Sequence, residues 1–287
     1  AAPSRAFGTV VGLGTAVVHV GGAGLARRAL VGGGGRKDPL YAAFAPFVGR
    51  GLFVAEGEEW RRKRRAAHKA LAPSGFGELE RAAQKEMRDA MASVPERTPH
   101  GEGPTELFPY VQRAVLRAVF HYLVGEPLPE AHRGLESRYL AAAVALRALL
   151  PAKARSAWML APRWLYALTP MGAAEGRAIA CARELSALAL RMAAPGSPVA
   201  AVAAAEGADA AAAVDGASTL LFAGHDTMAA TLAWAALRLA ADPEAQDACR
   251  AAALAGDSEG LDAVVKETLR LHPVAPLVMR LAERGAG

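Results

Sequence analysis

Apolar residues recur at helical spacing through most of this 287-residue chain. Residues 78–94, 107–124, 138–150 and 175–194 each carry them on one face, which predicts amphipathic helices, the third halted by Pro151. A helix opening at Glu58 puts Trp60, Arg64, His68 and Leu71 on one stripe, with two acids in its first turn. Residues 218–241 are longer and more uniformly apolar, the pattern of a core helix. Asp242-Pro243-Glu244 restarts the chain as a helix, Asp as N-cap and Pro at the first helical position. The last helix, 261–271, stops before Pro273, and 274–279 is extended.

The remainder reads as connections. Residues 6–26 are uncharged and long enough to span a bilayer, with Gly8 and Gly12 at a helix-pairing spacing. Six glycines, His19 and the pairs Val10-Val11 and Val17-Val18 favour two short strands turning at Gly14-Thr15, with the membrane helix as the alternative. Residues 25–31 form a short helix with Arg27 and Arg28 outward, closed by four glycines. Residues 38–57 are loop-rich, with Pro39, Pro46, Tyr41, Phe44, Phe47 and Phe53. Pro73-Ser74-Gly75, residues 95–104 and residues 125–129 break the pattern, and a piece around Trp158 and Trp164 closes at Pro170 and Gly172. Residues 195–214, nearly all small, read as a linker with a weak helix. No repeat is visible. The expected class is mainly α with a small β-sheet, in one domain over 1–287. Its parts are a hairpin at 1–24, a helical body at 25–271 and the start of a second β region at 272–287.

With 53% apolar and 21% charged residues, this is globular material. The net charge of +5 is concentrated at residues 61–69 without interleaved aromatics, so no nucleic-acid partner is expected. Cys181 and Cys249 are the two cysteines, too few for a disulfide framework or a zinc site. Both lie in helical patterns and read as structural thiols. Gly12-Leu13-Gly14 lacks the third glycine of a dinucleotide loop.

Chemistry concentrates at Ala223-Gly224-His225-Asp226-Thr227. Asp and Thr are poor helix formers that bond local backbone, and Gly224 removes a side chain where a ligand could press on the helix. The segment is either a kinked core helix with a satisfied Asp or a proton relay built of a carboxylate and a hydroxyl. Glu267 and Arg270, three apart, share a helix face and can pair. Trp60 and Arg64 are either part of a solvated basic face or an indole N–H and a guanidinium fork aimed at an anion.

In this order, W-x-x-x-R at Trp60–Arg64, A-G-x-D-T at Ala223–Thr227 and E-x-x-R at Glu267–Arg270 resemble the cytochrome P-450 family of haem-thiolate monooxygenases. The likeness runs over nearly the whole chain. It implies a haem cofactor whose propionates are gripped by Trp60, Arg64 and Arg280 and whose distal face meets Ala223 and Gly224. It makes Asp226 and Thr227 the catalytic relay that delivers protons for O–O cleavage, and Glu267–Arg270 a buried ion pair. Phe222, Val274, Ala275 and Pro276 would line the substrate pocket, roofed by residues 38–57. Implied partners are a hydrophobic small molecule (fatty acids, carotenoids and sterols all qualify), O2, and a reductase or ferredoxin docking near Arg61, Arg62, Lys63 and Arg65, with the enzyme a monomer.

The wording around residues 56–62 and 266–273 resembles eukaryotic-type members. The family's Phe-Gly-rich loop with the iron-ligating Cys would lie downstream of Gly287, so the resemblance implies a fragment with no metal ligand of its own. Any membrane anchor, for endoplasmic reticulum or plastid, would also lie outside it. A different reading is a catalytically dead helical scaffold that holds no haem and acts by binding.

Overall fold

The computed structural model describes residues 6–11, 15–20, 22–28, 30, 36–71, 76–95, 106–154, 156, 158 and 161–281. It has two compact units, one comprising Ala1–Tyr41 with Leu277–Gly287, the other Ala42–Pro276.

In the first unit, β1 (Ala6–Val11) and β2 (Thr15–Val20) pair antiparallel, Ala6 opposite Val20 and Val11 opposite Thr15. The β-branched pairs thus form a hairpin, and no helix among the described residues is long and apolar enough to cross a membrane. Gly14 of the expected turn and the glycines at 32–35 lie outside the described residues. A short α1 (Ala23–Arg27) follows, with Arg27 and Arg28 exposed. Lys37 bridges Arg280 antiparallel, and the Leu281 amide donates to the Arg36 carbonyl at 2.9 Å.

The second unit is helical: α2 (Ala45–Val48), α3 (Gly57–Ala70), α4 (Phe76–Ala92), α5 (Phe108–Val124), α6 (Arg133–Ala154), α7 (Arg163–Ala167), α8 (Pro170–Met192), α9 (Pro198–Ala204), α10 (Ala210–Ala240), α11 (Pro243–Ala255) and α12 (Ser258–Leu271). Several boundaries differ from those expected, each for a local reason. Helix α6 continues through Pro151, which stands in the last turn and removes only one backbone donor. Pro170 opens α8 instead of closing the piece before it, because Thr169 Oγ1 accepts from the Gly172 amide at 3.0 Å and Pro suits the first helical position. Asp209 accepts from the Ala212 amide at 2.9 Å and starts α10 at Ala210, earlier than residue 218.

The weak helix expected within the linker at 195–214 is α9, which packs into the core, while residues 207–211 are exposed. Ser197 caps α9, and Pro198, Val199 and Val202 are buried. Composition hid this, since small residues still supply an apolar face when a neighbouring helix comes close.

Helix α10 is the axis of this unit, packing against α5, α8, α9 and α12. Its residues 215–221 are buried, together with Leu116, Phe120, Tyr139 and Leu185. Its C-terminal half leaves Leu232, Trp234 and Leu237 exposed. The His272 ring stacks on Trp234 with centroids 4.0 Å apart, fixing the end of α12 on α10.

Candidate active site

The site begins with how α10 is held. Asp215 accepts from the Arg50 amide and from Arg183 Nη1, both at 2.8 Å, which staples the turn before α3 to α10 and α8. The turn comes so close that a Cβ on Gly49 would stand 1.9 Å from Asp215 Cγ, and one on Gly51 would stand 1.9 Å from Thr219 Oγ1. Only glycine fits either place. One turn on, Ser218 Oγ donates to the Phe47 carbonyl at 3.0 Å, anchoring α2 beside Phe222.

Between these elements lies a cavity of about 190 Å³. Phe44, Phe47, Leu146, Ile179 and Phe222 form its apolar wall, and Arg147 and Glu175 also line it. Phe47 and Phe222 meet edge to face at 4.9 Å, and Phe44 lies 6.3 Å from Phe222. Phe222 therefore stands in a cavity wall, beside the loop-rich segment expected to roof it. Val274 is half-buried, Ala275 and Pro276 are exposed, and none of the three lines this cavity.

Asp226 and Thr227 are adjacent but aim apart. The Asp226 carboxylate accepts from Arg147 Nη1 on α6 at 2.9 Å, so it is tied to the cavity through a residue that lines it. Thr227 Oγ1 donates to the Ala223 carbonyl at 2.7 Å and is exposed, as is Ala223 one turn earlier. Gly224 takes on a different job from the one its position suggested. A Cβ there would lie 2.9 Å from Val119 Cγ1, so its missing side chain admits α5.

His225 turns inward and is fully buried. Its Nδ1 lies 3.0 Å from the Leu221 carbonyl and 3.4 Å from Tyr139 Oη, and Nε2 has no partner among the described residues. Burial holds the imidazole below its ordinary pKa and the Tyr139 phenol above its own.

Glu175 is buried under Lys153, whose Nζ lies 3.0 and 3.2 Å from its two oxygens, and Tyr166, which donates to Oε2 at 2.7 Å. Sequence reasoning missed Arg147, Glu175 and Asp215 because polar positions in amphipathic helices are assigned to solvent. The one available signal was a lone Arg147 within the apolar run 142–150.

On α3, Trp60 is 37% exposed and the Arg64 guanidinium lies 5.9 Å from its ring centroid. Arg64 makes no ion pair among the described residues. The expected outward basic cluster is partly used up. Lys63 is 4% exposed with Nζ 2.8 Å from Glu206 Oε1, Arg62 reaches Oε2 at 2.8 Å, and Arg61 pairs with Glu58. Burial raises the Glu206 carboxyl pKa, but hydrogen bonds from Lys63 and Arg62 outweigh this and hold it below the usual range.

Glu267 and Arg270 form a two-bond pair at 2.6 and 2.7 Å, but their side chains are 55% and 66% exposed, so the expected burial is corrected. The spacing specifies the pair and says nothing of its cover. Arg280 is exposed, and its Nη1 donates to the Met279 carbonyl at 2.9 Å.

This fold and site define a helical protein with an apolar cavity beside one central helix that carries a carboxylate and a hydroxyl. The cytochrome P450 family model matches residues 6–188 and 208–285, and the chain belongs to that family. A putative cytochrome P450 137 of Mycobacterium tuberculosis is 48% identical over 64 residues, 22% of this chain and 13% of that protein. Human cytochrome P450 4F12 is 39% identical over 79 residues, 22% of this chain and 15% of that one. Relatives are thus bacterial as well as eukaryotic, and the matched segments span a small part of each.

Among solved structures, a zebra fish cytochrome P450 with progesterone superposes with a TM-score of 0.71 at 17% identity, covering 96% of this chain and 70% of that one. A retinoic acid-bound cyanobacterial CYP120A1 gives 0.68 at 19%, covering 93% and 62%. At these identities the likeness shows the fold.

Haem is the family's cofactor, and when bound it supplies a redox-active iron for activating dioxygen. The distal residues fit such a group. Ala223 and Thr227 are exposed on successive turns of a helix whose residues 215–221 are buried, which leaves an open small-residue face, and Arg64 pairs with no carboxylate among the described residues. Cys181 packs against the core, where burial pushes its thiol up, and Cys249 is half-buried on α11, so neither shows the features of a ligand thiolate.

Proposed function

We propose that this chain is the distal part of a haem monooxygenase that hydroxylates a hydrophobic small molecule with O2 and electrons from a redox partner. The observation that carries the reading is the turn Phe222–Thr227. It presents an aromatic ring to an apolar cavity, an open Ala223–Thr227 face to solvent, and a carboxylate held by a cavity residue. In this reading Ala223 would meet the haem, and Trp60 and Arg64 would take its propionates. Thr227 hands protons inward and Asp226, swinging from Arg147, renews them from solvent, which is general acid work. Arg65 and Lys69, both exposed on α3, steer an electron-donating protein. In this reading neither Cys181, whose thiol burial pushes up, nor Cys249 on α11 serves as the thiolate ligand.

The test is Thr227→Ala in the enzyme carrying its thiolate loop. Product formed per electron consumed falls if the relay is right, and an unchanged ratio removes Thr227 from proton delivery. The rival reading, a scaffold that binds without haem, draws on the engagement of both relay groups: Thr227 by its own backbone and Asp226 by Arg147. Haem titration separates the two.

A further inference from the structure

Helix α3 is strongly polar, and Ala67 is its only buried apolar residue. Among the described residues α9 is the one helix on which it packs extensively. So small an apolar grip leaves the rotation of α3 about its own axis to charged contacts. Those contacts meet at Glu206, just past the end of α9, whose side chain is as deeply buried as that of Lys63. Lys63 Nζ reaches Glu206 Oε1 and Arg62 Nη2 reaches Oε2, both at 2.8 Å, and Arg62 Nη1 donates to the Ala205 carbonyl. Val199 and Val202 seat α9 in the core, so Glu206 is a fixed point for α3. Lys63 also lies 3.6 Å from Glu59, which pairs with Arg50 at 3.2 Å, and the Arg50 amide is held by Asp215 of α10.

We propose that Lys63 and Glu206, braced by Arg62, are positioning residues that lock the rotation of α3 and so aim Arg64 at the haem propionates. The inference rests on the reading that Trp60 and Arg64 take those groups, and it names what holds them in place.

Three features support it. First, α3 carries five consecutive cations at 61–65, alike in charge, and folding sorts them. Glu58 takes Arg61 and Glu206 takes Arg62 and Lys63, which leaves Arg64 and Arg65 without an ion pair among the described residues. Second, Trp60 and Arg64 stand one turn apart, roughly 60–100° round the helix from Lys63. The guanidinium lies 5.9 Å from the indole centroid, so the two swing together whenever α3 turns. Third, Lys63 cannot turn toward solvent without stranding a buried Glu206 carboxylate, so the setting resists small rotations. A guanidinium grips a carboxylate through paired, directional bonds, and a modest turn of α3 loses that grip even where the helix stays folded.

The experiment titrates this chain with haem and with haem dimethyl ester, whose propionates are masked as neutral esters, and compares the two dissociation constants. The native chain is expected to prefer haem by about tenfold, the scale of one charge-assisted hydrogen bond, and Arg64→Ala to abolish the preference. Lys63→Met is expected to lower the preference at least about threefold while ester affinity holds, and Lys63→Arg, which keeps a cation against Glu206, to restore most of it. Arg62→Met, at a half-exposed side chain, replaces Lys63→Met if that variant does not fold, with a smaller drop in the same direction.

Equal weakening of both porphyrins in Lys63→Met marks a merely structural role and overturns the inference. So does a preference that vanishes in Arg64→Ala but persists in Lys63→Met, or in Arg62→Met where the former does not fold; either result leaves the propionate reading standing. A native chain that does not distinguish haem from its ester, or binds neither, overturns the propionate reading and the inference with it.

Discussion

Arg147 of α6 and Asp226 of α10 are joined by one hydrogen-bonded ion pair, Nη1 to Oδ1 at 2.9 Å, and the arginine of that pair also lines the cavity. A change in the cavity can therefore reach the carboxylate directly. The Arg147 side chain is 36% exposed and that of Asp226 16%, which weakens the pair relative to a buried one. Arg147→Met is expected to lower unfolding free energy by about 1 kcal/mol. In a cycle with Asp226→Asn, a coupling of at least about 0.5 kcal/mol in urea denaturation confirms the contact. Strictly additive effects contradict it.

Gly224 is placed to let α5 approach. An alanine there gains helix propensity of about 1 kcal/mol, but its Cβ meets Val119 Cγ1 at 2.9 Å, a contact that requires repacking at about 1–3 kcal/mol. Gly224→Ala should be neutral to destabilising in the native background and clearly stabilising in Val119→Ala, where the obstructing methyl is gone. Thermal midpoints of the four proteins decide the matter.

The Lys63–Glu206 pair predicts acid sensitivity of the α3–α9 contact. Glu206's folded pKa is lowered from 4.5, so the pair contributes stability that is complete above that value and is lost as pH falls through the folded one. Urea midpoints of the native chain should drop more steeply below about pH 4.5 than those of Glu206→Gln. Lys63→Met, which leaves Glu206 to Arg62 alone, is expected to cost about 2 kcal/mol at neutral pH.

Glu267 and Arg270 predict the opposite. Both are well exposed, so Glu267→Gln should leave the urea midpoint of this chain unchanged within measurement error. A large loss would show that something covers the pair in solution.

Much of this could be read from the sequence, and the division is physical. Trp60–Arg64, Ala223–Thr227 and Glu267–Arg270 are local spacings on single helices, and spacing survives folding. The place of Phe222 in a cavity wall was implied by the family resemblance and not by spacing. The cover over a residue depends on distant segments, so the exposure of Glu267–Arg270 and the burial of Lys63 were not legible. Arg147 and Glu175 sit at polar positions of amphipathic helices, and only the approach of α10 and α7 turns those positions inward. Helix α9 was hidden by composition, because an alanine-rich stretch looks like a linker until Val199 and Val202 find a core.

The most direct test of the account is a haem titration of this chain, followed by the difference spectrum of the reduced protein with carbon monoxide. The account predicts non-thiolate haem binding, lost in Ala223→Trp, which fills the open face of α10. A thiolate-type carbonyl band in the native chain would mean that Cys181 or Cys249 ligates iron. Together with binding unaffected by Ala223→Trp, it would contradict both the assignment of that face and the reading of the two cysteines as structural thiols.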